Sequence, residues 1–273
     1  MKGISRTEVF FFAVLFAFLA TVSSQAKEES SSKSFGITGG VTALSSLHEL
    51  SHVDHRASIV FGFIPKYSIS RSVTLSSALA FTKDLEGDQE FTIEDPEVSL
   101  GYQKKLNPYL VFGSDLGVAI AVNPDSIRND SLIFATSLSP ALTLDFSRFG
   151  ASGLSLTNAM AFTKAFHEFR TKASGPSNIE YALSEALVLS YRFLEKFSVS
   201  ATGAYAFGWT YAGVLNQSFK VKESLGYQIT DVLAAAIGHS NSGRSFLENG
   251  VDSNISIFNG ESSTVYGSLQ ITI

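Results

Sequence analysis

The stretch Leu132-Ile-Phe-Ala-Thr-Ser-Leu-Ser-Pro-Ala-Leu-Thr-Leu-Asp-Phe146 decides how this chain is read. Leu132, Phe134, Leu138, Leu142, Leu144 and Phe146, with Thr136 and Pro140 in the same row, alternate with Ile133, Ala135, Ser137, Ser139, Ala141, Thr143 and Asp145. A period of two puts the two rows on opposite faces of an extended strand. The run is long for a strand of a soluble domain. An apolar face that meets lipid, and a small or polar face that meets water, would produce it.

The same alternation recurs from Ser34 to the end of the chain. Strands are expected at Ser34–Leu44, Ala57–Ile64, Ser72–Thr82, Glu97–Gln103, Leu110–Val122 and Leu132–Phe146. They continue at Leu154–Phe162, Asn178–Arg192, Phe197–Tyr211, Phe219–Gln228, Val232–His239 and Thr264–Ile273. Connections after odd strands are long and polar: Ser45–Arg56, Lys83–Pro96, Asn123–Asp130, Lys164–Ser177, Ala212–Gln217 and Ser240–Ser262. Those after even strands are short: Pro65–Arg71, Lys104–Tyr109, Ser147–Gly153, Phe193–Lys196 and Ile229–Asp231. A soluble sandwich has no reason to sort its loops in this way. The fold expected is all-β: a closed, antiparallel transmembrane β-barrel of about twelve strands, residues 34–273, with both termini on the side of the short turns.

Aromatic residues support two membrane boundaries. Tyr67, Tyr102, Tyr109, Phe146, Phe149, Tyr191, Phe193, Phe197 and Tyr227 fall beside the short turns. Phe81, Phe162, Phe166, Trp209, Tyr211 and Phe219 fall at the opposite ends. Amphipathic rings prefer the two membrane–water interfaces.

Residues 1–26 read as a cleaved signal peptide: Lys2 and Arg6, an apolar core from Val9 to Val22, then Ser24-Gln25-Ala26. Residues 27–33 form a polar tail. The formal net charge is −5, and loss of Lys2, Arg6 and Glu8 makes it one unit more negative. That balance argues against nucleic acid as a partner. The chain has no cysteine, which excludes a disulfide-stapled fold.

Segments echo one another. Thr74-Leu-Ser-Ser-Ala-Leu-Ala-Phe-Thr-Lys83 resembles Ser155-Leu-Thr-Asn-Ala-Met-Ala-Phe-Thr-Lys164, and Ser99-Leu-Gly-Tyr102 recurs as Ser224-Leu-Gly-Tyr227. Every hairpin of a barrel faces the same two solvents, which explains such echoes without duplication.

The chain thus resembles bacterial outer-membrane β-barrel proteins of the porin-like class, over essentially everything after the signal. The resemblance implies a multi-pass barrel in the outer membrane, in contact with membrane lipid and lipopolysaccharide. It also implies insertion by the barrel-assembly machinery, which reads a C-terminal strand like Thr264–Ile273. The terminal Ile273 departs from the usual aromatic residue.

Two motifs suggest other chemistry. His48-Glu49-Leu50-Ser51-His52, with His55 beyond it, has zincin spacing. It falls in a loop too short for the helix that would aim both imidazoles at one Zn²⁺. A polar loop is the expected state, and no metal or cofactor is assigned. His239-Ser240-Asn241 resembles the signature of outer-membrane lipid hydrolases but lacks their spacer. Neighbouring strand residues point to opposite faces, so Ser240 is expected away from His239 and no catalytic residue is assigned.

The inward rows carry the functional expectation. They are rich in Ser, Thr, Ala and Gly, which leave room for water. Glu97, Asp115, Glu180, Arg192, Lys220 and Lys222 are expected to line the pore, with mixed sign. A weakly selective passive pore for small hydrophilic solutes follows. The alternatives are a non-conducting surface barrel whose loops bind a partner and, further off, a lipid hydrolase at the rim. Glu185 and Glu223 fall on the lipid face by alternation; β-bulges that turn them inward are expected.

Overall fold

Antiparallel strands account for nearly all of the regular secondary structure among the described residues. A computed structural model describes residues 34–48, 55–87, 89–247 and 249–273. The segments expected as signal peptide and tail, and most of the zincin-like motif, lie outside the described residues. The strands are β1 (Ser34–Ser46), β2 (Ala57–Ser68), β3 (Val73–Asp84), β4 (Phe91–Ile93), β5 (Glu97–Asn107), β6 (Leu110–Ile120) and β7 (Leu132–Asp145). They continue as β8 (Leu154–His167), β9 (Ile179–Phe193), β10 (Phe197–Thr210), β11 (Leu215–Gln228), β12 (Leu233–Arg244) and β13 (Ser263–Thr272).

Each strand pairs with the next, except that β3 pairs with both β4 and β5, and β1 pairs with both β2 and β13, so the sheet closes. Ile37 and Ile273 exchange backbone hydrogen bonds of 2.8 and 2.9 Å at that seam. Thirteen segments occupy twelve ring positions, because β4 and β5 both pair with β3. The interruption is Glu94-Asp95-Pro96. Pro96 has no N–H to give, and Asp95 Oδ1 instead accepts from the amides of Val122 and Asn123, each at 2.8 Å.

The apolar rows face outward. Leu116, Ile237 and Leu269 are 57%, 64% and 50% exposed, whereas Ile37 and Phe219 are the only buried hydrophobics among the described residues. An apolar surface of this extent needs lipid, not water, around it. Closure leaves the spanning strands without an edge, which satisfies their backbone groups inside the hydrocarbon. Tyr191, Phe193, Phe197 and Tyr227 stack in sequence beside the short turns, with centroids 5.8, 5.7 and 4.8 Å apart. At the other boundary Phe134 stacks on Phe166 at 4.4 Å and Phe207 on Trp209 at 6.1 Å.

Loop lengths sort as the sequence suggests, with one correction. The connection expected at Ala212–Gln217 is a tight turn, since β11 starts at Leu215. Gly213 at φ +77° and the Thr210 hydroxyl, which accepts from the Val214 amide at 3.0 Å, close it.

The expected bulges at Glu185 and Glu223 are absent. Pairing of β9, β10 and β11 runs in register through both positions and shifts only at Trp209/Thr210. Both carboxylates therefore stay on the outward face, each with a polar partner on a neighbouring strand. Asn158 Nδ2 donates to Glu185 Oε1 at 2.7 Å, and His239 Nδ1 lies 2.9 Å from Glu223 Oε2. A cross-strand partner does the work that a bulge was expected to do.

Candidate functional site

The inward rows are built from small side chains that pair across the ladder. Ser76 and Ser99 hydrogen bond at 2.8 Å, Thr143 and Thr157 at 2.9 Å, and Ser200 and Ser224 at 2.7 Å. Paired hydroxyls spend their bonding on each other and reach little into the interior. Near the short turns the interior opens into a 430 Å³ cavity, whose lining includes Arg192, Ser198, Gln228, Asp231, Ala236 and Gln270.

Five of the six expected charged residues fall on the small-polar rows, though not as one group. Glu180 does not, because it sits at the irregularity where Tyr181 pairs with Trp209 and Ile179 with Thr210, and its carboxylate pairs with Lys164 of the outward row. Glu97 on β5 faces Ala119, and Asp115 on β6 faces Gly101. Lys220 and Lys222 on β11 face Ser242 and Ser240. The Lys222 ammonium lies 4.6 Å from the Tyr266 ring centre, so two inward side chains meet across the sheet. Arg192 is at the short-turn mouth. Glu180, near the opposite rim, forms an ion pair with Lys164, whose ammonium also lies 4.0 Å from the Tyr181 ring centre. That carboxylate is already committed, unlike the exposed Asp115, Arg192, Lys220 and Lys222.

The charges are sorted by wall. Counting β4 and β5 as one position, β5 and β6 lie half the ring away from β11 and β12. Glu97 and Asp115 therefore stand across the interior from Lys220 and Lys222. Arg244, inward on β12 opposite Ser218, adds to the basic wall. Lys66 on β2 and Lys105 on β5 are inward too, near the short-turn end. Lys66 and Lys105 are missed from sequence because each lies just beyond a predicted strand end, and Arg244 because it falls within the connection expected at Ser240–Ser262, where β12 in fact continues. The alternation does continue through all three, and following it further would have found them.

Glycines make room for the acids. A Cβ on Gly117 would collide with Glu97 Oε1 and sit 2.5 Å from Ser137 Oγ. One on Gly101 would sit 2.7 Å from Asp115 Oδ1, and one on Gly226 would sit 2.6 Å from Ser198 Oγ. This gives the Ser-Leu-Gly-Tyr echo a physical reason. Its glycine faces inward, where a cross-strand side chain leans over it.

The two motifs behave differently. His48 Nε2 lies 3.1 Å from the Glu261 carbonyl oxygen, while Glu49 to His52 lie outside the described residues. No cluster of three metal-ligating side chains occurs among the described residues. On β12, His239 and Asn241 face outward and Ser240 inward, as alternation requires.

A closed antiparallel barrel with an apolar exterior, two aromatic boundaries and a wet, charged interior is the architecture of outer-membrane channels. Two solved structures share it. An outer membrane channel from Pseudomonas putida F1 is 11% identical with a TM-score of 0.60, over 90% of this chain and 99% of that one. The NanC porin is 10% identical with a TM-score of 0.54, over 87% and 99%. At such identity the likeness is one of fold. No family model and no curated protein matches the sequence.

Proposed function

We propose that this protein is a weakly selective passive pore for small hydrophilic solutes. The observation that carries the reading is the solvent-exposed state of Asp115, Arg192, Lys220 and Lys222 on the inward face. A packed or plugged interior would bury them. Opposed acidic and basic walls leave a path between them that repels neither sign strongly, and hydroxyl-lined walls replace part of a solute's hydration. Glu97, Asp115, Lys220 and Lys222 set the field at mid-barrel, and Arg192 acts at the short-turn mouth, whereas Glu180 is held by Lys164 and does not line the path. Membrane lipid and lipopolysaccharide surround the outward face, and the barrel-assembly machinery acts on β13. Proteoliposome swelling in a size-graded series of neutral saccharides tests the pore. Fast swelling with small sugars and a size cutoff is expected. Swelling no faster than that of empty liposomes would refute it.

A further inference from the structure

We propose that Ser45, His55 and Glu86 form a serine-hydrolase triad at the extracellular rim, acting on the carboxylic esters of membrane lipids. The three come from separate elements: the end of β1, the residue-pair before β2, and the connection after β3. His55 Nδ1 lies 2.6 Å from Glu86 Oε1, and His55 Nε2 lies 3.2 Å from Ser45 Oγ. A carboxylate can only accept, so Nδ1 carries the hydrogen and Nε2 presents its lone pair to the serine. The Ser45 hydroxyl has one other acceptor, the Ser46 carbonyl oxygen at 3.1 Å. This is the nucleophile, base and orienting acid of acyl transfer, all within hydrogen-bond reach.

Burial fits the roles. The His55 side chain is 3% exposed and that of Glu86 is 38% exposed, while Ser45 is half-buried. The base is shielded more deeply than the nucleophile. A second His–Glu pair among the described residues sharpens the contrast. His239 has Glu223 on Nδ1, but its Nε2 is buried with no partner, and the adjacent Ser240 faces inward. Among the described residues, a serine completes the series only at His55.

Position selects the substrate. Ser45 is on the outward face between Ala57 and Val265, in the row that continues through Ala43 and Val41. Ile59 and Phe61 flank that row on β2. An acyl chain lying along these side chains brings its ester to the height of Ser45, where the apolar band ends. Ser45 Oγ attacks the ester carbonyl carbon as its proton passes to His55 Nε2. Collapse breaks the bond to the alcohol oxygen, which leaves with that proton, and the acyl group stays on Ser45. Water, activated by His55, then releases the fatty acid and restores the serine. No redox partner or metal enters the balance. The site is on the opposite side of the sheet from the interior, so it acts independently of conduction.

The test uses the full chain in phosphatidylethanolamine vesicles with and without lipid A, treated with an alkyl fluorophosphonate and analysed by intact mass. One adduct on Ser45, absent in Ser45→Ala and His55→Gln, is expected. Heat-modifiable mobility and conductance should be unchanged in Ser45→Ala, which confirms a folded barrel. Fatty-acid release from either lipid source supports the assignment and says which ester is used. Glu86, acting through His55, is a positioning residue. Glu86→Gln should lower kcat by about 10²- to 10⁴-fold with KM little changed, and Glu86→Asp should recover most of it. A folded wild-type barrel that takes no label overturns the triad. Labelling without fatty-acid release from either vesicle overturns the lipid-ester substrate.

Discussion

Reversing the basic wall, Lys220→Glu with Lys222→Glu, is the most informative perturbation of the pore. Twelve strand positions spaced about 4.8 Å apart and tilted about 40° give a circumference near 75 Å and a backbone diameter of about 24 Å. The lysine ammoniums then lie about 8 Å from the axis. One charge at that distance acts on an axial ion with about 0.5 kcal/mol in water, and screening at 0.1 M salt cuts this to about 0.2 kcal/mol. The double reversal moves the wall by four charges, or about 0.9 kcal/mol for each permeant ion. Cations gain what anions lose, so the cation-to-anion permeability ratio should rise about 20-fold. Reversal potentials of single channels in a KCl gradient read this directly. At 1 M salt the screening length is about 3 Å and the effect should nearly vanish. An unchanged reversal potential at 0.1 M would show that these lysines do not face the conduction path.

Three further outcomes follow from named contacts. Gly117→Val forces Glu97 and Ser137 aside and should cost about 1–3 kcal/mol of stability, read by urea unfolding in lipid, with altered conductance. Because Glu223 faces outward beside His239, Glu223→Leu should leave conductance unchanged. His239→Leu, which strands the carboxylate on the lipid face, should destabilise by about 1–3 kcal/mol, and the double Leu variant should recover most of that. Asn241 is 1% exposed; its Nδ2 donates to the Ser256 carbonyl at 2.8 Å, and its Oδ1 accepts from Ser262 at 2.6 Å. Asn241→Ala should release the 245–262 connection, seen as faster proteolysis there and a loss of about 1–3 kcal/mol.

The strands were legible because a barrel strand meets two different solvents along its whole length, and Leu132–Asp145 writes that contrast in nearly every residue. The outward glutamates misled the reading because alternation reports a face and not a partner. Asn158 and His239, which make Glu185 and Glu223 tolerable there, are far from them in sequence and adjacent only through pairing. The sorting of charge by wall was invisible for the same reason, since Asp115 and Lys222 become opposites only once ring positions are counted. Ser45, His55 and Glu86 fall in connections that the sequence marks as polar loops, His55 beside the zincin-spaced motif. Nothing in their spacing brings them together; the closing of β1, β2 and β3 does.

Single-channel recording of the purified, folded barrel in a planar bilayer tests the central claim of an open interior most directly. Stable ohmic steps that scale with bulk KCl conductivity are expected, because hydroxyl-lined walls and exposed charges leave a continuous aqueous path. A silent bilayer, with heat-modifiable mobility confirming insertion of folded protein, would contradict it.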